Sequence, residues 1–180
     1  MARTEHSVAP QPLRLFFALW PEDATRAALA GWSSAIHRQS GGRATRAETI
    51  HLTLAFLGDT DPARLPELEA AAARVRPRRF EFVLDEPGCW SHNKIAWAGA
   101  THVPEELERL VADLRAALVA AGFRFDPKPF VPHLTLIRKA RPGFKLPVLA
   151  PILWPVREFV LVRSVLRAGG SEYVLQGRWG

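Results

Sequence analysis

The apolar residues of this 180-residue chain fall into short blocks with two distinct periods. Leu13 to Trp20 is an almost unbroken aromatic and aliphatic run of strand length. From Pro21 onward Ala28, Trp32, Ala35 and Ile36 recur at helical spacing to about Gln39, where Gly41 and Gly42 stop the helix. Ile50 to Leu57 predicts a second strand. Gly58-Asp59 with Pro62 predicts a turn before an alanine-rich helix that runs to about Val75. Phe80 to Leu84 and Lys94 to Gly99 read as two further strands. Pro104 opens the clearest helix, with Leu107, Leu110, Val111, Leu114 and Leu118 on one stripe and Gly122 as its stop. A strand at His133 to Arg138 follows. Then come a Pro-rich loop from Arg141 to Pro155, long enough to form a lid or rim, and closing strands near Glu158 to Arg167 and Tyr173 to Gly177.

In this order the unit strand, helix, histidine strand occurs twice with nearly equal spans, from Leu13 to His51 and from Lys94 to His133. That is the pattern of an internal duplication. Two such lobes with their sheets side by side would leave a cleft at a pseudo-twofold axis, with one histidine strand on each wall.

The repeated element is the tetrapeptide His-Leu-Thr-Leu, at His51-Leu52-Thr53-Leu54 and His133-Leu134-Thr135-Leu136. Alternate residues of a strand share a face, so each His projects with its Thr while the leucines point the other way. Around the first copy Ile50, Leu52, Leu54 and Phe56 predict a core face, which turns His51 and Thr53 toward the cleft. A single histidine on a half-buried strand is more often structural than chemical. Two copies matching over four residues weigh against that. Imidazole has an ordinary pKa of about 6.5, so one ring can accept a proton while another donates one near neutrality. Opening a cyclic phosphodiester needs both transfers, and threonine hydroxyls can hold the non-bridging oxygens.

Composition narrows the alternatives. Cys89 is the only cysteine, so an internal disulfide, a cysteine-based zinc cage and a Cys-x-x-Cys redox pair are excluded, and the thiol is expected to be a buried bystander. No His-x-His, His-Glu-x-x-His or Gly-rich phosphate loop is present, nor a nucleophile elbow around Ser91, Ser164 or Ser171. No metal and no cofactor are therefore expected. The net charge of +6 is mostly arginine, which favours an anionic partner, although a GC-rich genome also enriches arginine. The Leu13 to Trp20 run is too short to span a bilayer and lacks a cleavage-site pattern, so a cytoplasmic protein that engages no membrane is expected.

With these motifs the chain resembles the two-histidine (2H) phosphoesterases, and among them the bacterial RNA 2′,3′-cyclic phosphodiesterases, also called 2′-5′ RNA ligases. The resemblance covers nearly the whole chain. It rests on Arg14-Leu15-Phe16-Phe17-Ala18-Leu19, on His51-Leu52-Thr53-Leu54-Ala55-Phe56-Leu57-Gly58, on Trp97, and on Phe130-x-Pro132-His133 leading to Arg138. It implies an α+β, bilobal, pseudo-twofold fold: two antiparallel sheets line a central cleft, with helices outside. One such domain would span 13–180 behind a loose tail at 1–12.

The resemblance further implies metal-independent hydrolysis of an RNA terminal 2′,3′-cyclic phosphate to a 2′-phosphomonoester, with reverse 2′-5′ ligation also conceivable. By family analogy His51 is the proton donor and His133 the acceptor, although the pseudosymmetry makes these roles easy to exchange. Thr53 and Thr135 would bind substrate with them. Arg138 matches the family position after the second motif. It lies five residues from His133, so regular alternation would point it away unless the strand ends or bulges, or the side chain bends round the edge. Arg46 falls where the family often has a basic residue at the cleft mouth, and Phe17 where an aromatic could support a nucleobase; a solvated loop charge and core packing are the plain alternatives. Trp90, Trp97 and Trp154 read as packing residues, with Trp154 placed to cover substrate from the loop, and His37, His92 and His102 as surface residues. The expected partners are RNA 3′ ends carrying the cyclic phosphate, or small cyclic nucleotides such as an ADP-ribose cyclic phosphate, bound by a monomer. A binder of RNA ends without turnover is the non-enzymatic alternative, and the intact motifs argue against it.

Overall fold

The computed structural model describes residues 11–168 and 170–180. The tail expected over residues 1–12 lies, as far as Pro10, outside the described residues. The chain forms β1 (Leu13–Leu19), α1 (Asp23–Ser40), β2 (Arg43–Ala44) and β3 (Leu52–Thr60), then α2 (Leu65–Ala72), β4 (Phe80–Leu84), β5 (Glu86–Trp90) and β6 (Ile95–Gly99). It continues with α3 (Glu105–Ala120), β7 (Leu134–Arg138), β8 (Ile152–Val156), β9 (Phe159–Arg167) and β10 (Gly170–Trp179).

The helix boundaries follow from local chemistry. Asp23 lies in the first turn of α1, and Glu105, Glu106 and Glu108 in that of α3, where carboxylates favour the positive end of the helix dipole. Gly41 at φ +58° closes α1 with its N–H on His37 O, and Gly122 at φ +71° follows α3. Both positions use a positive φ that glycine adopts without a Cβ penalty.

Two antiparallel sheets result. Seven strands of the larger run in the order β10-β9-β1-β3-β7-β6-β5, with β2 also paired to β7, and β4 and β8 form a two-stranded sheet apart. The pseudo-twofold passes between β3 and β7, which join through one residue pair, Leu52 with Leu134. Behind this sheet the helices cross over. α1, from the first half, packs on β7, and α3, from the second, packs on β3. Ser33 Oγ of α1 donates to Leu136 O at 3.4 Å, and Trp32 Nε1 to Ala150 O at 3.0 Å. The leucines of both repeats, together with Leu29, Ile36, Leu110 and Leu114, fill the single core between sheet and helices.

Three expectations change. Gly58 is not a turn: β3 runs on to Thr60, with Gly58 at φ +72° inside the strand. The Pro-rich segment is not all loop, because Ile152–Val156 forms β8 against β4. Trp154 is 2 % exposed and faces Phe82, so it packs rather than covers substrate. β5 pairs with β6 across the turn before Ile95, an unforeseen strand because Pro87 and Gly88 hide its pattern. Cys89 on it is half-buried against the core. No helix among the described residues is long and apolar enough to cross a membrane.

Because Leu134 is fully buried at the pair that joins β3 to β7, Leu134→Ala is expected to cost about 2–5 kcal/mol in urea denaturation. Leu153→Ala, at a side chain 59 % exposed, should stay within about 0.5 kcal/mol. Equal losses for the two variants would contradict this packing.

Candidate functional site

The two His-Leu-Thr-Leu copies meet where the lobes join. The histidines precede their strands by one residue, and Leu52 pairs antiparallel with Leu134. Carried one residue either way, that register sets His51 across from Thr135 and Thr53 across from His133. All four side chains line one cleft of about 590 Å³, so the pairing of two buried leucines assembles a four-residue constellation on the opposite face.

Each copy then bulges at its last leucine. Phe17 pairs with Ala55 and Ala18 with Thr53, which leaves Leu54 without a partner on β1. Ala96 pairs with Ile137 and Trp97 with Thr135, which leaves Leu136 without one on β6. An extra residue reverses the side-chain phase beyond it. Arg138 therefore returns to the cleft beside His133 and Thr135, by the bulge that its spacing required. The same reversal corrects the expected core face of β3: Ile50, Leu52 and Leu54 are buried, whereas Phe56 lines the cleft.

The imidazoles are held alike. His51 Nδ1 lies 2.7 Å from Thr49 O, and His133 Nδ1 lies 2.7 Å from Val131 O. A carbonyl only accepts, so Nδ1 carries the hydrogen in both neutral rings and Nε2 keeps its lone pair for the cleft. Their surroundings differ. Trp20 stacks on His51 at 5.4 Å with 5° between planes, while Phe16 lies at 4.9 Å and Tyr173 stands edge-on at 5.2 Å. His133 has Trp90 edge-on at 4.6 Å. Burial pushes His51 down to about 4 against the opposing bond to Thr49, and the Arg138 and His133 charges lower it further. Burial also lowers His133, again with help from Arg138 and against its bond to Val131. Both shifts favour the neutral ring near pH 7.

Of the other expected residues, Arg46 lies at the mouth. It donates through Nη2 to Ser171 O at 3.0 Å and lies 3.5 Å from a Glu48 carboxylate oxygen. Phe17 is not in the cleft: it is fully buried on the core face, near Phe159 and Trp179, so its place beside substrate is withdrawn. Its neighbour Phe16 lies on the cleft face instead. From Leu15 to Trp20 the run is apolar on both faces, because a second apolar cluster of Phe16, Ala18, Val160 and Val162 covers the cleft side. No alternation remained from which to choose between adjacent phenylalanines. Trp20, Tyr173 and Arg43 also carried no sequence signal, and Arg14 stood only in the segment shared with the family, whereas Trp90 reaches His133 rather than only packing. His37, His92 and His102 are exposed as expected. The cleft lining includes Arg14, Arg43, Arg46 and Arg138 but no Asp or Glu, and no group of three metal-ligating side chains occurs among the described residues.

Comparison with known proteins agrees with this geometry. The family model described as LigT like Phosphoesterase matches residues 19–97 and 99–170. The RNA 2′,3′-cyclic phosphodiesterase of Escherichia coli K12 is 32% identical over 171 residues, covering 94% of this chain and 97% of that one. The enzyme of the same name from Thermus thermophilus is 32% identical over 175 residues, covering 91% and 87%. The crystal structure of E. coli LigT complexed with 3′-AMP superposes with a TM-score of 0.86 at 32% identity, over 94% of this chain and 98% of that one. The chain belongs to the LigT-like phosphoesterases of the 2H family, a family of phosphodiesterases.

Proposed function

We propose that the protein hydrolyses the 2′,3′-cyclic phosphate at RNA 3′ ends to a 2′-phosphomonoester, with His51 and His133 as the proton-transfer pair. The observation that carries this reading is the matched pair of imidazoles: each is tied through Nδ1 to a backbone carbonyl, each has Nε2 available, and each has a threonine of the other copy across from it. The relatives named for this activity, and the 3′-AMP held by the E. coli protein, support the substrate class.

In the proposed reaction the cyclic phosphate lies between the two rings. Water attacks phosphorus and gives a proton to one Nε2, while the bond from phosphorus to O3′ breaks and O3′ takes a proton from the other. The phosphate remains on O2′. Thr53 and Thr135 hydroxyls and the Arg138 guanidinium hold the non-bridging oxygens, whose charge redistributes during the displacement. The resemblance assigns His51 as donor. A ring that titrates at about 4 in the free cleft can donate at neutral pH only if it gains a proton as the substrate anion arrives. The phosphate charge supplies the reason for that gain, because a nearby anion stabilises imidazolium.

With a 2′,3′-cyclic mononucleotide in chelator, His51→Ala and His133→Ala should each lower kcat at least ~10²-fold, and the double variant should lose much less than the product of the two effects. Full activity in either single variant, or a 3′-phosphate product, would sink the mechanism.

The donor role has its own signature. At pH 7 the free His51 is neutral, so binding of a non-hydrolysable analogue of a nucleoside 2′,3′-cyclic phosphate, a singly charged diester that takes up no proton itself, should draw up to one proton from solution. Calorimetry in buffers of different ionisation enthalpy reads this, and His51→Gln should abolish it. Uptake that survives His51→Gln and vanishes in His133→Gln would exchange the two roles.

A further inference from the structure

Within the cleft the two lobes are chemically unequal at matching positions. Phe56 and Arg138 each lie five residues beyond their histidine, beyond matching bulges. Phe16 on β1 pairs with Phe56, and Ile95 on β6 pairs with Arg138. At these matching positions the first lobe thus offers an aromatic floor, with Arg14 over it at 4.9 Å from the Phe56 ring centre, and the second offers a cation.

That cation does not stand alone. β2 pairs with β7 so that Arg43 is directly opposite Arg138, and Thr45 N continues the contact to Leu136 O at 2.8 Å. Directly opposed residues of antiparallel strands project to the same side, and both guanidinium groups line the cleft. Like charges in such a position destabilise the pairing. Neither arginine forms an ion pair among the described residues, and no carboxylate lines the cleft to relieve them. The exposed Lys94 and Lys139 flank the same end of β6 and β7 and add to the positive potential.

The backbone holds this arrangement in place. Gly42 has φ +82°, and a Cβ there would lie 2.6 Å from Arg138 O and 2.8 Å from Lys139 O. Only glycine lets β2 approach so closely, and the approach sets Arg43 against Arg138. One cyclic phosphate carries a single negative charge. The single positive charge of Arg138 balances it.

We infer that Arg43 forms a second phosphate subsite, which takes the phosphate on the 5′ side of the nucleoside whose 2′,3′ phosphate lies between the histidines. The inference rests on the function proposed above and extends it: the preferred substrate carries at least two phosphate groups. Arg43 is a binding residue here and touches no reacting atom. The shared chemistry is an anionic phosphate, which either a 5′-terminal phosphate or the phosphodiester of an RNA chain can supply.

The test compares Kd for adenosine 3′-monophosphate, adenosine 3′,5′-bisphosphate and a 3′-phosphorylated RNA dinucleotide, in wild type, Arg43→Ala and Arg43→Lys. Wild type should bind one or both of the two-phosphate ligands about tenfold more tightly than the monophosphate, with a steeper salt dependence. Arg43→Ala should erase that advantage, and Arg43→Lys should keep only part of it because lysine lacks the planar fork. Loss confined to the dinucleotide would identify the chain phosphodiester as the group recognised, and loss with both ligands would identify any 5′ phosphate. No preference in wild type, or a preference that Arg43→Ala retains, overturns the subsite. Failure of the proposed reaction would show separately, as wild-type protein that leaves a 2′,3′-cyclic mononucleotide unchanged.

Discussion

The antiparallel pairing of Leu52 with Leu134 is the constraint on which the remaining arrangement depends. Burial of these two side chains holds the sheets of both lobes at one register. A slip of one residue between the two strands would put His51 and Thr53 on the opposite face from His133 and Thr135. The crossed helices reinforce the joint, since α1 packs on β7 and α3 on β3, and the core formed by one half therefore includes the histidine strand of the other. Neither half can bury its leucines fully without its partner.

Duplicated backbone geometry with unequal surroundings gives one motif two imidazoles of different character. Both rings use the same Nδ1 contact to a carbonyl two residues upstream. Trp20, Phe16 and Tyr173 crowd His51, whereas an edge-on Trp90 adjoins His133. Desolvation is the main cause of lowering at both, and it acts more strongly at the more enclosed ring. The same inequality recurs along the floor of the cleft, with Phe56 in one half where Arg138 stands in the other.

The repeat unit and the His-Thr alternation were legible because they depend on local periodicity and on an identical tetrapeptide. The long stripe of α3 and the Phe80–Leu84 strand were legible for the same reason. β5 was hidden by Pro87 and Gly88, and β8 by the prolines around it, since both strands are stabilised by a neighbour rather than by their own pattern. The bulge at Leu136 left only an indirect trace, the five-residue offset between His133 and Arg138.

By itself the sequence determined that two histidines and two threonines would share a cleft, because alternation and repetition are properties of the chain. Tertiary structure decided which other side chains join them. Phe16 rather than Phe17 faces the cleft because both faces of β1 are covered. Arg138 reaches it because a bulge reverses the strand's phase. Arg43 stands beside Arg138 because Gly42 presses against the backbone of β7, a contact between segments far apart in the chain that no local period encodes.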